Sequence, residues 1–193
     1  KRFYTNLYST TNPCTQHIQE YLDNVNLPYL PPEQQQLCEG DITIQECEEA
    51  VNKIKNNKSP GEDGLPVEFY KTFWNEIRYI LVSVYNESFQ QQILPVSMRK
   101  SIVTLIHKKG DRTDITNYRP ISLTNLDYRI LAHILASRLQ NVISHIVDPA
   151  QVSYIKERFI GTNIRLVHDI FDLYNEKSRS GIIMFADFRK AFD

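Results

Sequence analysis

With 193 residues, 41% of them apolar and 11% aromatic, the chain can build one sizeable folded domain or part of a larger one, and wholesale disorder is excluded. No apolar run approaches the roughly eighteen residues that span a bilayer, and the opening Lys1-Arg2-Phe3-Tyr4-Thr5-Asn6 lacks the apolar core of a signal peptide. A net charge of −1 gives no bulk hint of nucleic acid, and three cysteines without CxxC spacing argue against structural zinc and fit reduced thiols in an intracellular setting.

Residues 1–41 are rich in Tyr, Pro, Asn and Gln, with breakers at Pro28 and Pro31-Pro32, and read as a loosely structured lead-in. A helix is expected from Thr43. Thr43 with Glu46 spells a capping box, and Ile44, Cys47, Val51 and Ile54 recur at helical spacing. It ends at the turn-rich stretch from Asn56 through Pro60, Gly61 and Gly64. A longer helix follows, with Val67, Tyr70, Phe73, Trp74, Ile77, Leu81, Tyr85 and Phe89 as its apolar stripe, before Pro95 closes the region.

Ile102 to Ile106 then reads as a strand, Lys108-Lys109-Gly110-Asp111-Arg112 as a charged tip, and Ile121-Ser122-Leu123 as the returning strand, with Pro120 confined to an edge or strand start. A third helix is expected to begin at Thr124, with Leu126, Ile130, Leu131, Ile134, Leu135, Leu139, Val142, Ile143 and Ile146 facing the core. A fourth spans about Asn163 to Glu176. Last comes Ile182-Ile183-Met184-Phe185, a short apolar run that reads as a strand buried on both faces, ending at Asp187. Helices, a hairpin, more helices and a buried strand make the fold class α+β.

Charge is unevenly spread. Residues 1–50 hold two bases against eight acids, a balance of −6, whereas residues 96–140 hold eight bases against three aspartates, a balance of +5. The basic block is compatible with a nucleic-acid face and equally with a solvated helix face. Lys108 and Arg119 stand near the inner ends of one hairpin, and strand residues rise about 3.3 Å each, so both cations can reach one small anion. A lysine point charge beside an arginine fork suits a triphosphate; the plainer reading is a surface hairpin with solubilising charges. Asp187, leaving an apolar strand, is costly to desolvate unless it pairs or binds a metal, or else it caps a turn.

Several of these segments, in this order, resemble non-LTR (LINE-type) retrotransposon reverse transcriptases. The spelling Asp187-x-x-x-Ala191-Phe192-Asp193 after an apolar run is similar to the family's first catalytic motif. Asn117-Tyr118-Arg119-Pro120-Ile121-Ser122-Leu123 and the Lys108-Lys109-Gly110-Asp111 tip look like its fingers motifs. Lys58-Ser59-Pro60-Gly61-x-Asp63-Gly64 resembles the motif that opens its polymerase domain, and Gln151 to Asn163 resembles its next block. The likeness covers about residues 42–193.

The resemblance implies the fingers and the fingers–palm helices of a right-hand polymerase over 42–180 and the first strand of an incomplete palm over 181–193, with 1–41 as a lead-in or linker preceding the polymerase. It implies RNA-directed DNA synthesis by two-metal nucleotidyl transfer, with an RNA template, a DNA primer and dNTPs as partners, two Mg²⁺ ions as cofactors and no membrane. Asp187 would bind both ions, the Phe188 carbonyl would complete one sphere, and Phe192 would exclude a ribose 2′-hydroxyl, although without the motif it reads as a core aromatic. Lys108 and Arg119 would hold the triphosphate. Lys109, Arg112, Arg129, Gln151 and Arg158 are candidates for nucleic-acid contact.

The family's second metal-binding motif, Ala-Asp-Asp, does not occur in these residues, so the chain as it stands is expected not to polymerise. The alternative is a non-catalytic nucleic-acid-binding module of the same ancestry. The family also has Gln-x-Gly-Phe and a Gly-Arg pair where this chain has Gln151-Val152-Ser153-Tyr154 and Glu157-Arg158, and proline is common at Lys109. Lost glycines place side chains where a backbone needs close approach, which bears on the activity of this copy.

Overall fold

A computed structural model describes residues 3, 5, 9, 14–25 and 28–187. In chain order its longer elements are α1 (Thr15–Asn24), α2 (Pro32–Gln36), α3 (Ile44–Lys53), α4 (Val67–Thr72), α5 (Trp74–Gln91), β1 (Ser101–His107), β2 (Tyr118–Thr124), α6 (Leu126–Gln140), α7 (Ile143–Ile146) and α8 (Ile160–Glu176). Helices with one antiparallel two-stranded sheet make an α+β fold. Two compact units emerge, one within Lys1–Leu27 and Glu39–Ser137, the other within Pro28–Cys38 and Arg138–Asp193.

The first unit is built on α3. Its capping box is complete: the Thr43 hydroxyl accepts from the Glu46 N–H, and the Thr43 N–H donates back to the Glu46 carboxylate at 3.0 Å. That local start orients Cys47, Ala50 and Val51 inward, where they join Val67, Tyr70, Trp74, Leu81, Tyr85, Met98, Leu126, Ile130 and Ile134 in the core. Burying one such large side chain is worth about 1.5–3 kcal/mol. Burial also pushes the Cys47 thiol up to about 12. Asn86 joins the core to its rim by standing in for a strand: its side-chain oxygen accepts from the Ile42 N–H at 2.8 Å and its amide donates to the Ile42 carbonyl at 3.0 Å. Thus the chain entering α3 is satisfied without a sheet.

Four expectations are corrected. The helix expected across 67–89 is two, α4 and α5, broken at Phe73 (φ −101°, ψ 25°). Thr72 and Phe73 are weak helix formers, and the apolar spacing stays in phase across them, so periodicity reads straight through. The lead-in contains α1 and α2 rather than irregular chain alone. The third helix starts at Leu126, not Thr124, which ends β2; it stops at Gln140, leaving Val142 outside and Ile143–Ile146 as a separate turn. Residues 181–187 form no strand, and Ile182, Met184 and Phe185 are exposed. A strand is stabilised by pairing, and among the described residues nothing pairs with this segment.

The second unit is organised by one side chain. The Arg158 guanidinium donates to four carbonyls: Asp148 at 2.6 Å, Gln151 at 2.7 Å, Val147 at 3.1 Å and Ser144 at 3.3 Å. Val142, Val152 and Ile155 are buried in this unit. The chain reaches Arg158 through left-handed backbone at Tyr154 (φ 64°) and Glu157 (φ 67°). Helix α8 follows, three residues earlier in start than expected, and has no buried residue.

Candidate functional site

The β1–β2 hairpin carries the second strong sequence signal, after the Asp187 motif. Its partners run from Ser101↔Thr124 to Ile106↔Arg119 and His107↔Tyr118. The Lys108 N–H donates to the Asn117 carbonyl at 2.8 Å, which extends the same register one step beyond the strands. Side chains alternate between faces along a strand, so Ile106, Lys108, Asn117 and Arg119 belong to one face and His107 and Tyr118 to the other. Lys108 and Arg119 are therefore diagonal neighbours, about 7–8 Å apart at the backbone, within reach of one another's long side chains. Both are exposed.

The tip is ordered by side chains bonding to backbone. Asp111 accepts from the Thr113 N–H at 2.8 Å and Asp114 from the Thr116 N–H at 2.8 Å. The Asn117 amide donates to the Asp111 carbonyl at 3.0 Å. The Thr113 backbone and hydroxyl hold the Asp111 carboxyl below its ordinary range. Gly110 adopts φ +85°, and a Cβ there would come within 2.8 Å of the Asn117 amide nitrogen, so no other residue fits without displacing that contact. Lys109 and Arg112 lie on this same tip, both exposed.

A second feature lies at the N-terminus of α6. The Lys58–Gly64 loop docks there through Gly61, whose missing side chain admits Asn125: a Cβ would meet the Asn125 side-chain oxygen and come within 2.5 Å of its backbone nitrogen. Asn125, 3% exposed, accepts from the Asp63 N–H at 3.4 Å and donates to the Ser97 carbonyl at 3.2 Å. Arg129 reaches back to the Ser59 carbonyl at 3.4 Å. Burial raises the Asp127 carboxyl above its ordinary range against the opposing Tyr128 N–H bond, with the Asp63 charge adding to the rise. Tyr85 donates to the Asp127 carbonyl at 2.7 Å, and burial drives its phenol upward.

Of the expected site residues, the structure brings Lys108, Lys109, Arg112 and Arg119 together on one hairpin. Arg129 holds the Lys58–Gly64 loop, and Gln151 and Arg158 bond to each other within the second unit. Asp187 is exposed, in the irregular 181–187 stretch. Phe188 and Phe192, with Lys190 and Asp193, lie outside the described residues. Sequence reasoning missed Asn125, whose partners stand 62 and 28 positions away; only its type, common before helices, marked it.

Residues 106–193 match the family described as reverse transcriptase (RNA-dependent DNA polymerase). Over all 193 residues the chain is 33% identical to a Xenopus laevis protein named Transposon TX1 uncharacterized 149 kDa protein, covering 15% of that relative. It is 26% identical over 183 residues, 93% of the chain and 20% of the relative, to the probable RNA-directed DNA polymerase from transposon BS of Drosophila melanogaster. It is also 26% identical over 140 residues, 72% of the chain and 14% of the relative, to the RNA-directed DNA polymerase from mobile element jockey of the same fly. The chain thus spans about a fifth or less of these relatives' length. With its hairpin motifs inside the matched region, the chain carries a reverse transcriptase domain over residues 106–193, and it is similar to the reverse transcriptases of non-LTR retrotransposons.

Proposed function

We propose that residues 42–180 act as the fingers and fingers–palm helices of a right-hand polymerase that copies RNA into DNA, with 181–193 as the start of its palm and 1–41 as the preceding linker. The register that sets Lys108 and Arg119 as diagonal neighbours on one face carries this reading. Two such cations grip an incoming dNTP triphosphate, the lysine as a point charge and the arginine as a fork. Lys109 and Arg112, exposed on the same tip, add positive potential for a template backbone.

Reverse transcriptases use divalent metal ions, and Mg²⁺ is the ion of this proposal. Asp187 is its ligand, with the Phe188 carbonyl beside it, and Phe192 is the gate against a 2′-hydroxyl. Among the described residues no three His, Cys, Asp or Glu side chains converge, and one carboxylate does not balance two divalent ions. Asp187 is thus the described residue assigned to the metal, and the work assigned to the other described residues is binding and orientation. Among the described residues no helix is long and apolar enough to cross a membrane, and the three cysteines are free; an intracellular setting is part of this proposal.

Titration of the chain with dTTP tests the reading. Lys108→Ala and Arg119→Ala should each weaken binding about tenfold, a charge-assisted contact being worth about 1.5–3 kcal/mol. Wild-type affinity in both would overturn it. In the full-length protein, Asp187→Asn should abolish primer extension on RNA while leaving template–primer binding intact.

A further inference from the structure

The hairpin face turned away from Lys108 and Arg119 carries a second arrangement. Because Lys108 and Asn117 form a hydrogen-bonded pair, the next pair inward, His107 and Tyr118, is a non-hydrogen-bonded one, where side chains approach most closely. Their rings meet edge to face, centroids 5.3 Å apart at 67°. Each ring then reaches into the tip: His107 Nε2–H donates to the Gly110 carbonyl at 3.1 Å, and the Tyr118 hydroxyl to the Arg112 carbonyl at 2.9 Å. Two rings packed on each other thus hold two separate points of the loop between Lys108 and Asn117.

From this geometry we infer that His107 and Tyr118 form a clasp that closes the tip and so fixes Lys108 and Arg119 at the spacing a triphosphate needs. The inference rests on the triphosphate reading for its functional consequence. His107 and Tyr118 are positioning residues: neither shares the face of the two cations, so neither is placed to touch phosphate. A tip held closed before the nucleotide arrives loses less conformational entropy on binding, and affinity gains by that difference. Gly110 completes the device, since its left-handed backbone presents the carbonyl that His107 holds.

Two measurements on the whole chain test this. In hydrogen exchange, His107→Ala should speed the Lys108 amide about fivefold, as expected when a local opening loses about 1 kcal/mol of protection. Tyr118→Phe, which keeps the ring and loses one bond, should speed it about threefold, and His107→Gln, which keeps an N–H donor, should restore part of the protection. An unchanged Lys108 amide in His107→Ala overturns the clasp whatever the ligand does. In dTTP titration the same variants should weaken binding by about three- to tenfold, with the urea midpoint of the helical core unmoved. If Lys108→Ala and Arg119→Ala weaken binding and the clasp variants do not, the clasp fails alone. If those two leave dTTP binding unchanged, the triphosphate reading fails, and exchange still judges the clasp.

Discussion

Gly61→Ala is the sharpest perturbation the fold offers. The new methyl would meet the Asn125 side-chain oxygen and lie within 2.5 Å of the Asn125 nitrogen and 2.7 Å of its Cα. The side chain can rotate away; the backbone atoms, which lead directly into α6, cannot. Overpacking of this kind costs about 1–3 kcal/mol. Rotating Asn125 also breaks its bonds to the Asp63 N–H and the Ser97 carbonyl, in a residue only 3% exposed, adding roughly 0.5–1.5 kcal/mol for the better of the two. Together the loss is about 2–4 kcal/mol. For a urea slope of about 2 kcal/mol/M, the unfolding midpoint followed by circular dichroism should fall by about 1–2 M. Adding Asn125→Ala removes the oxygen contact but not the backbone ones, so the double variant should remain destabilised. A Gly61→Ala chain that unfolds at the wild-type midpoint would refute the docking of this loop against α6.

Glu157 is exposed and holds φ 67°, so Glu157→Gly should stabilise the second unit by about 0.5–1 kcal/mol, read as slower exchange of the amides near Arg158. Arg158→Lys keeps the charge but cannot span four carbonyls; we expect increased proteolysis between 144 and 158, and resistance equal to wild type would contradict the clamp. The Asp127 carboxyl sits above its ordinary range because it is buried. A raised folded-state value contributes stability below the unfolded value, near pH 4, and that contribution is lost as pH rises through the folded one. Asp127→Asn should therefore gain on the wild type between pH 4 and pH 7 in urea melts, and a constant difference across that window would argue against it.

How far these features were legible depends on how locally they are caused. The α3 start rests on Thr43 and Glu46, three residues apart, and both the cap and the buried Cys47–Val51 face follow from that spacing. The hairpin was legible because turn residues and strand residues alternate within 24 positions. The break at Phe73 was not, since Tyr70 and Trp74 keep helical phase on either side of it. Asn125 was invisible for a different reason: a short polar residue before a helix announces a cap, whereas its partners are set by tertiary packing. The run Ile182–Phe185 shows the limit of hydrophobicity as a signal. It records that burial is wanted, while the neighbour that provides it must come from elsewhere in the fold.

The parity of the hairpin ladder also makes its two borders unequal. With Lys108–Asn117 hydrogen-bonded, residues 103, 105 and 107 of β1 and 118, 120 and 122 of β2 direct their backbone groups outward. Position 120 is proline, which has no N–H to offer. The outer rim of β2 is therefore blunted at its middle, while that of β1 keeps its donors at Val103, Leu105 and His107. An extended segment lengthening this ribbon would therefore meet an unbroken row of donors beside β1 and an interrupted one beside β2, so the two borders are unequal as templates for pairing.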